Sequence, residues 1–322
     1  MTEPRATGSD GHCIVCGGRD WRLTLRSPDL EYQCKPGTWD LVACVGCGHV
    51  SVHPLPEPEE VASLYPPTYY TVNKASPLWL DGAIYEKKLA ADAVKLRRSL
   101  AAYPIRSIVD VGAGEISRLI ELKRAFGEGV ETIALDIQFD PHIQEQAHQN
   151  GIRLVVGNVE TDVEALRDGG HSLIIMRQLI EHLRDPERAV ANLARKMHSG
   201  ALMLIDTPNR GGLDHTLFRG KYWGGYHVPR HFHLFNQEHL AKIVERAGLR
   251  VHRAGCIPSM GFWIISLRLM MGLNSVSQGP GFKGWFLRYK NLPLSAFFIL
   301  FDLVRAKLGM QTSNQFVHAI KP

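Results

Sequence analysis

Ser107-Ile-Val-Asp110-Val-Gly112-Ala113-Gly114-Glu115 is a continuous apolar run that ends in G-x-G. It predicts a strand buried on both faces that turns directly into a helix, because a parallel strand covered on both sides loses the polar alternation of an exposed sheet. The glycines let backbone amides at the helix start approach a ligand, and Asp110 just before them can help position a positively charged one. Upstream, Tyr85 to Ala101 repeats apolar residues at helical spacing. Downstream come Thr132-Ile-Ala-Leu-Asp136, Arg153-Leu-Val-Val, Ser172-Leu-Ile-Ile-Met-Arg177-Gln178 and Ala201-Leu-Met-Leu-Ile-Asp206. Helical runs lie between these strands, so the order β-α-β-α-β predicts an α/β chain with a doubly wound, mostly parallel sheet and ligands at the strand C-termini. Asp136 stands about twenty residues beyond the glycines, where a carboxylate grips ribose hydroxyls.

The N-terminal part carries a different signal. Cys13-Ile-Val-Cys16 and Cys44-Val-Gly-Cys47 are each followed at once by glycine, Gly17 and Gly48. Two thiolates that curl around one ion need the backbone to turn just after the second cysteine, which glycine permits. Two such knuckles supply four sulfur ligands, and the short β-prone runs from Trp21 and Trp39 suit a zinc ribbon. A closed four-thiolate site leaves no position for substrate, so the expected zinc is structural. His12, Cys34 and His49 lie close enough in sequence to substitute as ligands, but a four-cysteine set needs none of them. The rival reading, a redox dithiol, requires a helix start within a βαβ unit, and neither pair has that context. After the ribbon, Val52-His-Pro-Leu-Pro-Glu-Pro-Glu-Glu resists regular structure and marks a linker. The expected division is residues 1–75 for ribbon and linker and 76–322 for the second domain.

The 322 residues are 45% hydrophobic with a formal charge of +5. The opening residues are polar and carry no signal-peptide pattern, which points, with the paired cysteines, to a soluble protein of the reducing cytosol. The charge is concentrated between Ile257 and Met310, where Arg268, Lys283, Arg288, Lys290, Arg305 and Lys307 face only Asp302. That stretch reads as a pair of helices, about 257–310, inserted before the last strand. Leu294, Phe297, Phe298, Phe301, Val304 and Leu308 share one helical face, suited to core packing, to a lid over a hydrophobic ligand, or to a dimer contact. The apolar run Leu292–Phe301 is too short to span a bilayer, although a basic apolar segment can touch anionic lipid from one side.

Asp110-Val-Gly-Ala-Gly, Asp136, Gly157-Asn158-Val159-Glu160 and Gln178-Leu-Ile-Glu181-His182-Leu-Arg-Asp-Pro186 together resemble the ordered motifs of class I S-adenosylmethionine-dependent methyltransferases. The resemblance is strongest to members with an N-terminal zinc ribbon and the run Trp223-Gly-Gly-Tyr-His227-Val-Pro-Arg230-His231-Phe-His-Leu-Phe235. It covers nearly the whole chain and implies a Rossmann-like sheet whose final strand is Ser313-Asn-Gln-Phe-Val-His-Ala-Ile-Lys321. It also implies that Gly112, Ala113 and Gly114, with Asp110, approach the methionine part of the cofactor. Asp136 and Ile137 would then meet the ribose, Asn158 and Val159 the adenine edge, and Gln178 the cofactor near the fourth strand. Two positions depart from the pattern: Ile116 stands where many members have a third glycine, and Asn158 where aspartate is usual. A nicotinamide dehydrogenase is the rival, but the third glycine of the dinucleotide fingerprint falls on Ser117, and S-adenosylmethionine has no pyrophosphate to need it.

Methyl transfer is an in-line displacement on an activated sulfonium, so few residue types are obligatory. The densest candidates lie after the fifth strand: His227 and His231 as general bases and Arg230 as an anchor for an anionic acceptor. His182 reads equally as a helix cap, a pocket wall or a base, and any histidine in this aromatic turn can be a packed side chain. The expected acceptor is a small molecule such as a sugar, a polyketide or another secondary metabolite, methylated on oxygen, nitrogen or carbon by a monomer or homodimer. A non-catalytic binding module is the remaining alternative. Nucleic acid is not expected, since no basic stripe with interleaved aromatics lies outside the insertion.

Overall fold

The five apolar runs lie side by side and parallel. A computed structural model describes residues 11–66, 69, 82–275 and 281–322; the boundary near 75 and the break at Gly279-Pro280 lie outside them. The N-terminal strands are β1 (Trp21–Ser27), β2 (Trp39–Cys44) and β3 (Val50–His53), followed by the single-turn α1 (Pro58–Val61). Then α2 (Gly82–Ser99) leads into β4 (Ser107–Val111), α3 (Ser117–Phe126), β5 (Glu131–Asp136), α4 (Pro141–Gln149) and β6 (Arg153–Val156). The second half continues with β7 (His171–Arg177), α5 (Pro186–Lys196), β8 (Met197–Pro208), α6 (Leu213–Phe218), β9 (His233–Leu234), α7 (Gln237–Arg246) and β10 (Arg250–Ile257). The chain closes with α8 (Gly261–Met270), α9 (Gly281–Phe286), α10 (Leu292–Lys307) and β11 (Asn314–Ile320).

The large sheet has the order β10-β11-β8-β7-β4-β5-β6. From β4 the chain moves outward through β5 to β6 and then returns to the other side of β4 as β7, so the winding reverses between β4 and β7. In such sheets a crevice opens beyond the strand C-termini at the reversal. All five residues of β4 are buried, the apolar Ile108, Val109 and Val111 together with Ser107 and Asp110. The last strand is inserted antiparallel between β8 and β10, with Asn314 opposite Pro208 and Ile320 opposite Leu202. Local chemistry supports the connections: Pro186 opens α5, and the Asp185 carboxylate accepts the amide of Arg188 at 3.0 Å as an N-cap.

The small sheet is not made by the ribbon alone. Its order is β1-β2-β3-β9, and β9 belongs to the histidine-rich run, with Ser51 opposite His233 and Val50 opposite Leu234. Leu41, Val50 and Val52 share a core with Trp223, Phe232 and Leu234. Burying these large side chains together, at roughly 1.5–3 kcal/mol each, ties the N-terminal strands to the sheet's C-terminal edge.

The insertion has three helices among the described residues, not the expected pair. Its longest helix, α10, also faces inward differently from the apolar stripe read in sequence. Ser295, Phe298, Asp302 and Arg305 are buried, whereas Phe297, Val304 and Leu308 are exposed. The rotation is set by Asp302, which accepts from the Trp263 indole at 3.2 Å and from Arg305 at 3.2 Å, while Phe298 stacks on the Trp263 ring. A buried carboxylate without these donors would cost more than the exposure of a few methyl groups. No helix among the described residues is long and apolar enough to cross a membrane.

Candidate active site

The four N-terminal cysteines converge. Cys13 and Cys47 sulfurs are 3.5 Å apart, as are those of Cys16 and Cys44. Four sulfurs about 2.3 Å from one zinc ion would sit about 3.8 Å apart, so the cluster needs only a slight expansion to fit. Gly17 and Gly48 both take φ +73°, and their amides donate back to Cys13 and Cys44 carbonyls at 2.8 Å, closing each knuckle. The chemistry and geometry of this donor set fit a zinc ribbon.

In the large sheet, the parallel strands bring Gly112–Gly114, Asp136, Asn158 and Gln178 to one edge. Gly112 adopts φ +68°, and a Cβ there would come within 2.9 Å of the Leu179 side chain, so both conformation and space demand glycine. The Gly114 amide donates to Asp136 Oδ2 at 2.8 Å, and the Ile137 amide donates to Oδ1 at 2.7 Å. Burial raises the Asp136 carboxyl above its usual range, against these hydrogen bonds. Ile137 is exposed, while Val159 and Ala113 are buried. Asn158 uses its side-chain oxygen to accept the Glu160 amide at 2.9 Å, which shapes the loop after β6.

Two arginines missed in the sequence complete this edge. Asp110 is fully buried and accepts from one edge of the Arg118 guanidinium, from Nη2 at 3.0 and 3.1 Å and from Nε at 3.3 Å. Arg177 Nε donates to Asp206 at 2.6 Å, and Gln178 donates to the same carboxylate at 3.0 Å from a backbone held at φ +48°. A non-glycine residue in that region is strained and is found where surrounding structure holds a functional side chain. Arg118 was hidden because its relevance depends on the first turn of α3 packing over the end of β4.

The histidine-rich run folds against the turn after β7. Ring centres of His182 and His231 are 4.7 Å apart, and those of His227 and His231 4.8 Å. Burial above all lowers all three, against the carbonyl contacts of His182 and His231: His182 falls to about 4 and His227 and His231 lie well below the usual range. Neutral imidazoles result, but their bonding differs. His227 is engaged at both nitrogens, with Nδ1 at 2.7 Å from Glu31 and Nε2 accepting from Arg230 Nε at 3.1 Å and lying 3.0 Å from the Tyr69 hydroxyl. His182 and His231 turn Nδ1 to the carbonyls of Arg230 and Gly225, at 2.9 and 2.8 Å, and the Tyr65 hydroxyl also lies 3.0 Å from His182 Nδ1. Beside them Glu181 is buried, which raises its carboxyl to about 8.

Arg230 is wholly buried and forms a two-pronged ion pair with Asp29, at 2.6 and 2.9 Å, over the Tyr32 ring. Its guanidinium also donates to the Leu64 carbonyl at 3.0 Å. The loop between β1 and β2 therefore reaches the histidine cluster through Asp29 and Glu31, neither of which had a sequence signal of its own.

A family model described as a methyltransferase domain matches residues 84–254, more than half of the chain. No curated protein matches. Among solved structures, a SAM-dependent methyltransferase from Archaeoglobus fulgidus is 17% identical with a TM-score of 0.45, over 75% of this chain and 100% of that one. Another from Aquifex aeolicus is 16% identical with a TM-score of 0.44, over 76% of this chain and 100% of that one. With the glycine loop at the sheet's reversal and the ribbon cysteines in place, the chain belongs to the methyltransferase-domain family and is an S-adenosylmethionine-dependent methyltransferase.

Proposed function

We propose that the enzyme methylates a hydroxyl group of a small metabolite, of sugar or polyketide type, in a reducing cytosol. S-adenosylmethionine would lie across the ends of β4 and β7, its methionine part over Gly112, Ala113 and Gly114. The Asp110–Arg118 pair offers a cation toward the methionine carboxylate, Asp136 accepts from the ribose, and Ile137, Asn158 and Val159 frame the adenine, with Gln178 near the sulfonium.

The observation that carries the acceptor side is the pair of Nε2 atoms on His182 and His231. With Nδ1 of His231 turned to a backbone carbonyl, its Nε2 is left as the lone pair, and His182 is the same when its Nδ1 donates to the Arg230 carbonyl. His231, assisted by His182, takes the proton as the acceptor oxygen bonds to the methyl carbon and the carbon–sulfur bond breaks toward sulfur. His227 and Arg230 position this pair, since both are engaged with Glu31 and Asp29. The ribbon cysteines hold zinc, which keeps the Asp29 loop in place and takes no part in the chemistry.

Calorimetry with S-adenosylhomocysteine and with NADH, followed by methyl transfer to a panel of hydroxylated metabolites, tests the reading. Binding of S-adenosylhomocysteine and a loss of turnover on the order of 10²–10⁴-fold in His231→Asn are expected. Binding of NADH alone would sink it.

The outer face of the insertion supports a separate contact with anionic lipid. Phe282, Trp285, Phe297 and Leu300 are exposed beside the exposed Lys283, Lys290 and Lys307, and Asp302, the one carboxylate of residues 281–310, is buried. Such a face suits shallow insertion with the cations at the headgroups. Co-sedimentation with phosphatidylglycerol vesicles but not with phosphatidylcholine vesicles is the expected result; a doubled mass on sizing without vesicle binding would reassign the face to a homodimer.

A further inference from the structure

Glu181 is bonded through only half of its carboxylate. Oε2 accepts from the Thr207 hydroxyl at 2.8 Å, whereas the buried Oε1 has no hydrogen-bond partner among the described residues. Oε1 stands 3.9 Å from Nε2 of His231, beyond hydrogen-bonding reach. His231 places Nδ1 on the Gly225 carbonyl, which can only accept, so its Nε2 carries a lone pair; His182 Nδ1 meets both the Arg230 carbonyl at 2.9 Å and the Tyr65 hydroxyl at 3.0 Å, and donation to the carbonyl leaves its Nε2 as a second lone pair. One ligand atom from each of the three residues lies within 4.8 Å of the others. With Glu181 ionised, as a bound cation would hold it, three electron-pair donors thus lie close together and present no hydrogen to one another.

A water molecule could satisfy part of this arrangement, but a cation satisfies all of it. A carbonyl at the far nitrogen is the arrangement that metal-binding histidines use, and Thr207 orients the carboxylate in the same way. Two imidazoles and one carboxylate on adjoining turns leave further coordination positions for oxygen ligands. The cluster also follows directly on Leu179, which packs against Gly112, so it adjoins the glycine loop.

We infer that Glu181, His182 and His231 form a binding site for one divalent cation beside the cofactor crevice. Resting on the methyltransferase reading, this names the acceptor class more narrowly: a hydroxylated molecule that reaches the cation through the oxygen to be methylated and a neighbouring oxygen. The cation lowers the pKa of the hydroxyl it holds. Its proton then leaves to water, the oxygen bonds to the methyl carbon, and sulfur departs with the electron pair of the broken bond. With the cation bound, the two histidines serve the acceptor through it, and this replaces the direct proton transfer to His231 proposed above.

Manganese(II) is the probe of choice, because a four-thiolate cluster favours zinc and discriminates against it. The full zinc-loaded chain is titrated with Mn²⁺ while free Mn²⁺ is read by electron paramagnetic resonance. One equivalent bound per chain is expected. Its affinity should fall at least about tenfold in Thr207→Val, and binding should be lost in Glu181→Gln and His182→Gln. Circular dichroism confirms that each variant is folded, and Glu181→Gln keeps the volume of the side chain. Absence of a bound equivalent, or an equivalent that survives both Glu181→Gln and His182→Gln, overturns the site and leaves the histidines as proton acceptors. S-adenosylhomocysteine binding measured on the same samples without Mn²⁺ reads the cofactor assignment independently.

Discussion

The cysteine cluster and the histidine–glutamate cluster are both sets of convergent ligand-type side chains, yet they are built on opposite principles. Cys13, Cys16, Cys44 and Cys47 arrive as two local turns, each closed by its own glycine. Glu181, His182 and His231 meet only because the run after β8 doubles back, pairs its β9 with the ribbon's β3 and lays His231 against the turn after β7. The first cluster is specified by spacing, and the second by long-range packing. The Asp29–Arg230 pair joins them, since Asp29 sits on the loop between the two cysteine knuckles and Arg230 sits next to His231. A local cysteine knot is thus joined to a distant and chemically richer cluster.

Removing the knot should have the largest effect. Structural zinc in small modules supplies about 10–16 kcal/mol of apparent folding free energy. Cys13→Ser with Cys44→Ser should abolish zinc content and the near-ultraviolet dichroism of the ribbon tryptophans, and should lower methyl transfer with it. Full retention of the dichroism without zinc would separate the two clusters and break the comparison.

Cutting the brace comes next. Arg230→Met leaves the Asp29 charge buried and unpaired, at a cost of about 3–5 kcal/mol in urea unfolding. Asp29→Leu combined with Arg230→Met should recover much of that loss, because no buried charge remains. If the double substitution costs the sum of the single ones, the pair is not the link.

The same brace predicts a pH dependence. Burial would raise the Asp29 carboxyl, but hydrogen bonding and charge from Arg230 outweigh it and hold the carboxyl at about 2. Its folded value is depressed, so its stabilisation is present above the unfolded value near 4 and is lost as pH falls toward 2. About 2 kcal/mol should disappear in that window. Asp29→Asn should flatten that part of the stability profile, and an unchanged profile would assign the acid sensitivity elsewhere.

The smallest effect on folding belongs to the glycine loop. Gly112→Ala forces a Cβ onto Leu179 and a side chain into positive φ, at about 1 kcal/mol of stability. Its consequence for ligand binding should be larger, with S-adenosylhomocysteine affinity falling about tenfold or more by calorimetry. Equal affinity would remove Gly112 from the cofactor crevice.

The parallel core was legible because continuous apolar runs ending in glycine or aspartate have few other uses. The ribbon was legible because thiolate spacing and following glycines are local requirements. The insertion was only half legible: its composition identified helices, but the buried Asp302 and Trp263 decided which side of α10 turned inward. Glu181 stood in plain sight beside His182, yet nothing in a linear reading joined it to His231 across the chain. Arg118, Asp29 and Glu31 were invisible for the same reason.

Sequence by itself determined the elements, the strand that carries the glycine loop, and the cysteine set, because periodicity and short spacings are properties of consecutive residues. Tertiary structure alone decided which polar groups are spent on one another and which remain open. Arg230 is taken up by Asp29 and His227 by Glu31, while Glu181 Oε1 is left without a hydrogen-bond partner among the described residues, beside His182 and His231. That sorting depends on hydrogen-bond partners supplied from distant segments, and burial makes each such partner decisive.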